Sequence, residues 1–304
     1  MGRDKSAVLI AGPTASGKSA LAMELAGRIG GTIVNADSMQ VYRNLRVITA
    51  RPTPDDEARV PHTLYGHVDE AENYSAGRYG VDAQTAIAKI SARGSVPIFV
   101  GGTGLYFRTL LTGIAAIPAI PADIRAHFNA RLEAEGVEAL HRDLQQRDPE
   151  AAARLMPRDR SRILRALEVV EATGRTIADW HGESMKPVIV PEHAVKVFLD
   201  VERAQLVTNI KARFAAMLEQ GAFDEVRVLA ERNLIETLPA MKAHGVPWLR
   251  KYLRSEISLD DATEGAVMDT RRYTKRQVTW FRNQMPDWDW VKPGDALTAI
   301  TSAL

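Results

Sequence analysis

Residues 12–19 read GPTASGKS and directly follow the apolar run Ala7-Val8-Leu9-Ile10-Ala11. The octapeptide fits Gly-x-x-x-x-Gly-Lys-Ser, a loop that cradles phosphate between a strand and a helix. Its surroundings agree: the apolar run has β character, and Ala20-Leu21-Ala22-Met23-Glu24-Leu25-Ala26 is rich in helix formers. Gly12 and Gly17 let the backbone wrap an anion, so that successive N–H groups and a helix N-terminus point at its oxygens. Lys18 adds a mobile cation, and the Ser19 hydroxyl can ligate Mg²⁺. The stretch predicts a chain that binds a di- or triphosphate through Gly12, Pro13, Thr14, Ala15, Ser16, Gly17, Lys18 and Ser19.

Outward from this loop, short β-like runs alternate with helical segments. Thr32–Asp37 reads as a second strand, Tyr79–Ala92 as a helix, and Pro97–Gly102 as a strand ending in glycines. Such alternation means a parallel sheet covered by helices, with ligands at the carboxyl ends of the strands. Asp37 and Gly101–Thr103 fall at those ends, level with the phosphate loop. After Pro118 and Pro121 the texture becomes polar, alanine-rich and helical, over Asp123–Ala134, Val137–Gln146, Pro149–Leu155 and Asp159–Thr173, the last closed by Gly174. Strand character returns at Val195–Val201. The expected architecture is an α/β, P-loop NTPase-like parallel sheet flanked by helices, formed by 1–115 and 186–304, with an inserted all-helical subdomain at 116–185.

The chain has 304 residues, 45% of them hydrophobic and 25% charged, which is ordinary for a water-soluble globular protein with a sizeable core. No apolar run reaches the roughly 18–20 residues of a membrane span, and the N-terminus lacks a secretory pattern. The absence of cysteine excludes disulfides, thiolate metal sites and cysteine nucleophiles. A cytoplasmic protein is expected. With a net charge of +1, any affinity for nucleic acid must come from local patches.

Two further constellations carry chemistry. Asp37-Ser38-Met39-Gln40-Val41-Tyr42-Arg43 places a carboxylate beside the phosphate site, where it can hold Mg²⁺ through water, act as a general base, or simply cap the next turn. Gln40 and Tyr42 add hydrogen-bonding and stacking capacity suited to a nucleobase. Gly101-Gly102-Thr103-Gly104-Leu105-Tyr106 allows close backbone approach to a ligand and brings it a hydroxyl.

Arg162 and Arg165 lie on one face of a predicted helix, either presented to RNA or solvated, with Arg165 paired to Glu168. Near the C-terminus, Arg271, Arg272, Lys275, Arg276 and Arg282 interleave with Tyr273, Trp280 and Phe281. That stripe suits RNA backbone contact and base stacking, and it equally describes an amphipathic helix with its aromatics in a core.

GPTASGKS at 12–19, DSMQVYR at 37–43 and GGTGLY at 101–106 together resemble the tRNA dimethylallyltransferase, or tRNA isopentenyltransferase, family. TARP at 49–52, PH at 61–62, YS at 74–75, RALEV at 165–169 and KRQVTWFR at 275–282 extend the resemblance almost end to end. It implies transfer of a dimethylallyl group from dimethylallyl diphosphate to the exocyclic N6 amine of the adenosine 3′ of the anticodon, with Mg²⁺ as cofactor and a tRNA anticodon stem-loop as partner. By the same resemblance Asp37 is the general base, Thr103 contacts the diphosphate near its bridging oxygen, and Lys18, Ser19 with Mg²⁺ and Arg213 hold the leaving group. The tRNA contacts implied are Asp37, Ser38, Met39 and Gln40, then Ser161, Arg162, Ile163, Leu164 and Arg165, then Lys275 and Arg276. A monomer is expected.

The sequence departs from the family pattern in three places. Asn44–Arg51 carries Arg46 where an acid is usual and Ile48 where glycine is. Asn209 stands where an arginine is usual, and Lys242–Pro247 replaces a Gly-Tyr-Arg/Lys ending. A small-molecule kinase shares the phosphate loop and strand-end aspartate, and Arg154, Arg158, Arg160, Arg162 and Arg165 are the arginines its lid would use. GGTGLY and DSMQVYR speak against it.

Overall fold

The structure, a computed structural model, describes residues 6–181 and 185–304. The chain divides into two compact units, one of residues up to Leu111 and from Pro187 onward, the other Thr112–Lys186.

The first unit is built on a six-stranded sheet. Its strands are β1 (Ala7–Ala11), β2 (Thr32–Asn35), β3 (His62–Thr63), β4 (Pro97–Gly101), β5 (Ala194–Leu199) and β6 (Asp289–Val291), in spatial order β3-β2-β4-β1-β5-β6. Every pairing is parallel, with Val8 opposite both Ile98 and Val195. All five residues of β1 and of β4 are buried, as strands covered on both faces must be. Because side chains alternate, Leu9, Val34, Phe99 and Phe198 enter one core. Val8, Ile10, Ile33, Ile98 and Val197 enter the other, against Leu21 and Leu25 of the helix Lys18–Ile29 and Ile300 of the helix Pro293–Ala303. β2 and β5 each end two residues before their predicted ends. β3 and β6 escape a sequence reading because two or three residues, the latter between Pro286 and Pro293, show no period.

The first unit also contains the long helix Leu259–Gln284, started by a capping box between Ser258 and Asp261. It buries Ala262, Ala266, Thr270, Thr274, Gln277 and Phe281 along one stripe.

The second unit is all helical in its described residues: Ala122–Glu135, Val137–Arg147, Pro149–Arg154, Arg160–Thr173 and Ile177–His181. Phe128, Leu132, Leu140, Leu144, Ile163 and Leu167 form its own core. Asp159 caps the Arg160–Thr173 helix by accepting from the Arg162 N–H at 3.2 Å, and Gly174 ends it in a left-handed turn.

Candidate active site

Since β2, β4 and β1 are neighbours in the sheet, the loops that leave their carboxyl ends are neighbours too. The phosphate loop turns at Gly17, whose φ of 87° favours glycine. Ala15 also has a left-handed φ of 67°, and its carbonyl is held by the Asn209 amide at 3.0 Å. The unusual residue at 209 is therefore a brace for the loop tip. The Thr14 N–H donates to Gln277 Oε1 at 3.0 Å, and the Ser16 N–H to the Pro13 carbonyl at 3.2 Å. Ser16 Oγ is buried with no hydrogen-bond partner among the described residues. Lys18 Nζ folds back onto the Pro13 carbonyl at 3.2 Å. Burial pulls its pKa down to about 8; nearby Asp37 opposes that shift and Arg213 adds to it.

Asp37 stands between these cations. Asn35, wholly buried, accepts from the Asp37 N–H at 2.8 Å and donates to its carbonyl at 2.9 Å. Asp37 Oδ1 accepts from the Met39 N–H at 2.9 Å, so the turn-capping role is real. No described residue donates to Oδ2. One oxygen fixes the turn and the other is available for chemistry. The carboxylate acts electrostatically on Lys18, Arg213, His244, Tyr65, Tyr106 and Tyr273. Burial lowers the pKa values of Arg213 and His244 and raises that of Tyr273.

The third loop closes the group. A Cβ on Gly101 would lie 2.0 Å from the Ala36 carbonyl oxygen, so only glycine lets the ends of β4 and β2 approach this closely. The Thr103 N–H donates to that same carbonyl at 3.2 Å. Thr103 Oγ1 accepts from the Ser38 N–H at 2.9 Å and donates to the Ser38 Oγ at 3.3 Å.

Gln277 was not singled out by the sequence reading, yet it ties two of the loops together. Its Oε1 takes the Thr14 N–H and its Nε2 donates to the Gly102 carbonyl at 2.9 Å. The signal was present: an amide on the buried stripe of an otherwise apolar helix face needs buried partners. Gln277→Leu, close in size, should destabilise the fold by about 1–3 kcal/mol for each of the two groups it orphans. It should also weaken binding of inorganic diphosphate to the loop; urea melts beside diphosphate titrations would check both. Tyr273 and His244, whose rings are tilted by 50° with centroids 4.7 Å apart, complete the wall near Asp37; the sequence suggests Tyr273 only as a member of the basic-aromatic stripe and gives His244 no role.

The remaining expectations divide. Arg213 sits four residues after Asn209 on the helix Arg203–Glu219 and joins the site. Ser38 and Met39 are half-buried beside it. Gln40 is more occupied than expected, since its Nε2 donates to the Thr49 and Ala50 carbonyls at 2.8 and 3.0 Å. Tyr42 is not a stacking platform: it is 1% exposed, with its ring in the core and its hydroxyl on the Glu72 carbonyl. The Asn44–Arg51 departures are absorbed locally. The Glu225 carboxylate accepts the N–H groups of Arg46, Val47 and Ile48 at 2.7–2.9 Å, and the Arg46 guanidinium reaches the Pro52 carbonyl and Glu57.

Lys275 and Arg276 are exposed, whereas Phe281 is buried and Tyr273 and Trp280 half-buried, so the stripe is both charged outside and aromatic inside. On the second unit Ser161 and Arg162 are exposed, and Arg165, half-buried, interacts with Glu168 and Arg125. Ile163 is corrected: it is fully buried in the helical core and has no side chain to offer RNA, and Leu164 packs against the same core. Arg154, Arg158, Arg160 and Arg162 are paired with Glu150, Glu138, Glu133 and Asp159.

A phosphate loop after β1, a carboxylate after β2 and a hydroxyl loop after β4 define a P-loop-like α/β transferase site. Family models described as "IPP transferase" and "Isopentenyl transferase" match residues 40–284 and 5–63, and the chain belongs to the IPP transferase family. It is 58% identical to a tRNA dimethylallyltransferase of Rhodopseudomonas palustris, over 97% of this chain and 92% of that one. It is also 58% identical to the enzyme of the same name from Nitrobacter hamburgensis, over 98% and 94%. Among solved structures, the tRNA isopentenylpyrophosphate transferase of Bacillus halodurans matches with a TM-score of 0.68 and 33% identity, over 98% of this chain and 95% of that one. A eukaryotic dimethylallyltransferase described as acting on tRNA matches with a TM-score of 0.76 and 29% identity, over 91% and 70%.

Proposed function

We infer that this chain, acting as a monomer, transfers the dimethylallyl group of dimethylallyl diphosphate to the N6 amine of the adenosine 3′ of the anticodon in tRNA and releases diphosphate. The observation that carries the reading is the juxtaposition of a cationic phosphate cradle with a carboxylate that keeps one oxygen unshared. Diphosphate lies against the amides of the phosphate loop other than those of Thr14 and Ser16, which already have protein acceptors, and against Lys18 and Arg213. These groups stabilise charge where it develops as the allylic C–O bond breaks. The adenine amine is a poor nucleophile, with its lone pair delocalised into the ring. Its proton becomes acidic only as the C–N bond forms, and Asp37 Oδ2 takes it then. Thr103, oriented by Ser38, positions the donor.

Mg²⁺ suits this donor set. Ser19 offers a hydroxyl in the first turn of its helix, and no cluster of three acidic or histidine side chains exists among the described residues. One hydroxyl with substrate phosphate oxygens and waters is how that ion commonly binds. When bound, Mg²⁺ neutralises charge on the leaving diphosphate.

RNA is contacted by Lys275, Arg276 and the exposed residues Ser161 and Arg162. The acceptor must be an unstacked loop base, since a duplex hides the amine. Mass analysis of nucleosides after incubation with dimethylallyl diphosphate and Mg²⁺ tests the reading. Prenylated adenosine in anticodon stem-loops, and none in free AMP, is the expected result. Phosphate transfer from ATP to a small alcohol, with no RNA prenylated, would establish a kinase instead.

A further inference from the structure

The segment that follows the Asp37 loop is gripped by a helix far along the chain. The Glu225 carboxylate, on the helix Ala222–Glu231, accepts three consecutive amides: Arg46 and Val47 on Oε1 at 2.9 and 2.7 Å, and Ile48 on Oε2 at 2.9 Å. The backbone it holds turns back on itself, the Ala50 N–H donating to the Val47 carbonyl at 3.0 Å. The carbonyls of Thr49 and Ala50 in turn accept from the Gln40 Nε2 at 2.8 and 3.0 Å. Two carbonyls at one end of the amide settle which atom is nitrogen, since an oxygen there would face acceptors only. With its donors consumed, Gln40 has only an acceptor left to offer. Its Oε1 has no partner among the described residues, and it stays open to solvent, not being one of the sealed, unpaired atoms such as Ser16 Oγ. Gln40 lies three residues after Asp37 on the loop that leaves β2, where Asp37 Oδ1 takes the Met39 N–H and Thr103 Oγ1 the Ser38 N–H. An accessible acceptor of fixed orientation therefore stands on the loop that carries the general base.

We propose that Glu225 is a positioning residue for RNA recognition, acting through the 46–50 segment to lock Gln40 so that its Oε1 accepts a hydrogen bond from the RNA loop. The proposal rests on the tRNA-modifying reading and adds a determinant of which loops are accepted. The donor is an exocyclic amino group of a base or a ribose 2′-hydroxyl, both of which an unstacked loop exposes. A free glutamine discriminates poorly, because its amide can turn over and offer either end. Locked on two carbonyls it accepts only, and an RNA group with no hydrogen to give leaves that oxygen unpaired. A carboxylate suits the clamp, since charged acceptors hold amide N–H groups about twice as strongly as neutral ones.

The test uses the whole enzyme and anticodon stem-loop RNAs, with affinities compared at one fixed salt concentration because phosphate contacts make binding salt-dependent. In one series cytosine becomes uracil, and adenine or guanine becomes hypoxanthine, at each loop position including the acceptor. In the other, each loop ribose becomes deoxyribose in turn. One exchange should weaken binding to the unmutated protein by about tenfold, and the series in which it falls identifies the donor. Gln40→Met, close in size but without the amide, should bind the unaltered RNA about tenfold less tightly and be indifferent to that exchange. Glu225→Gln keeps the shape of the clamp without its charge. It should weaken RNA binding severalfold, leave binding of inorganic diphosphate unchanged, and cost nothing further in the Gln40→Met background. Losses that add, or that fall equally on RNA and diphosphate, overturn the coupling and make Glu225 merely structural. Prenylation intact, with every exchange costing the same in the unmutated protein and in Gln40→Met, overturns the proposal alone. Circular dichroism melts show that the variants fold, and Gln40→Met with the two RNA series carries the test if Glu225→Gln does not. Failure of the unmutated enzyme to bind or prenylate any stem-loop removes the functional reading as well.

Discussion

Asp37→Ala is expected to slow prenyl transfer by about 10²–10⁴-fold in single-turnover measurements, with tRNA affinity nearly unchanged. The size follows from the loss of a positioned proton acceptor, and the unchanged affinity from an RNA footprint spread over many other groups. Because Asp37 Oδ1 also holds the Met39 N–H, alanine removes a turn cap as well as a base. Asp37→Asn separates the two roles. Its amide oxygen keeps the cap but has no useful basicity, so a general base requires Asn to be nearly as slow as Ala. Recovery of the rate in Asn would reduce Asp37 to the cap.

Lys18→Ala should lower turnover by about 10²–10³-fold, the loss typical of one donor at a developing oxyanion. Lys18 also makes a pH prediction. Burial holds its pKa near 8 in the free protein, against 10.5 in an unfolded chain. The ammonium is the form that grips diphosphate, so kcat/KM for the donor should fall as pH rises through about 8, and Lys18→Arg should move that fall to higher pH. Folding responds with the opposite sense. Below pH 8 the folded protein carries a charge it has partly desolvated, and between about 8 and 10.5 the unfolded chain is the better proton binder, so stability rises across that window. Lys18→Met should therefore raise the thermal midpoint at pH 7 while abolishing donor binding. A lowered midpoint would contradict the desolvation account.

Much of this was legible in the chain because it is written locally. The apolar runs of β1 and β4, GPTASGKS and the strand-end Asp37 are each contiguous, and their convergence follows from the rule that parallel strands present ligands at one edge. The helical unit was legible from its texture and from Asp159 and Gly174. What stayed hidden is long-range. The partnership of Gln277 with Thr14 and Gly102, of Glu225 with the amides of 46–48, and of Asn209 with Ala15 join residues whose separation no periodicity encodes. Tyr42 misled for a related reason. Its position after Asp37 suits a ligand, but only the packed structure shows its ring turned into the core.

The Gln277 tie also sets a clock on biosynthesis. The phosphate loop leaves the ribosome 263 residues before the side chain that fastens Thr14 to Gly102 is made. At about 5–20 residues per second that interval is on the order of tens of seconds. In its early part β1 waits first for β4 and then for β5 to pair its two edges, and throughout it the loop amide at Thr14 has no protein acceptor. A ribosome-bound nascent chain thus displays the signature octapeptide long before it can grip a diphosphate firmly, and competence arrives late, with the long C-terminal helix.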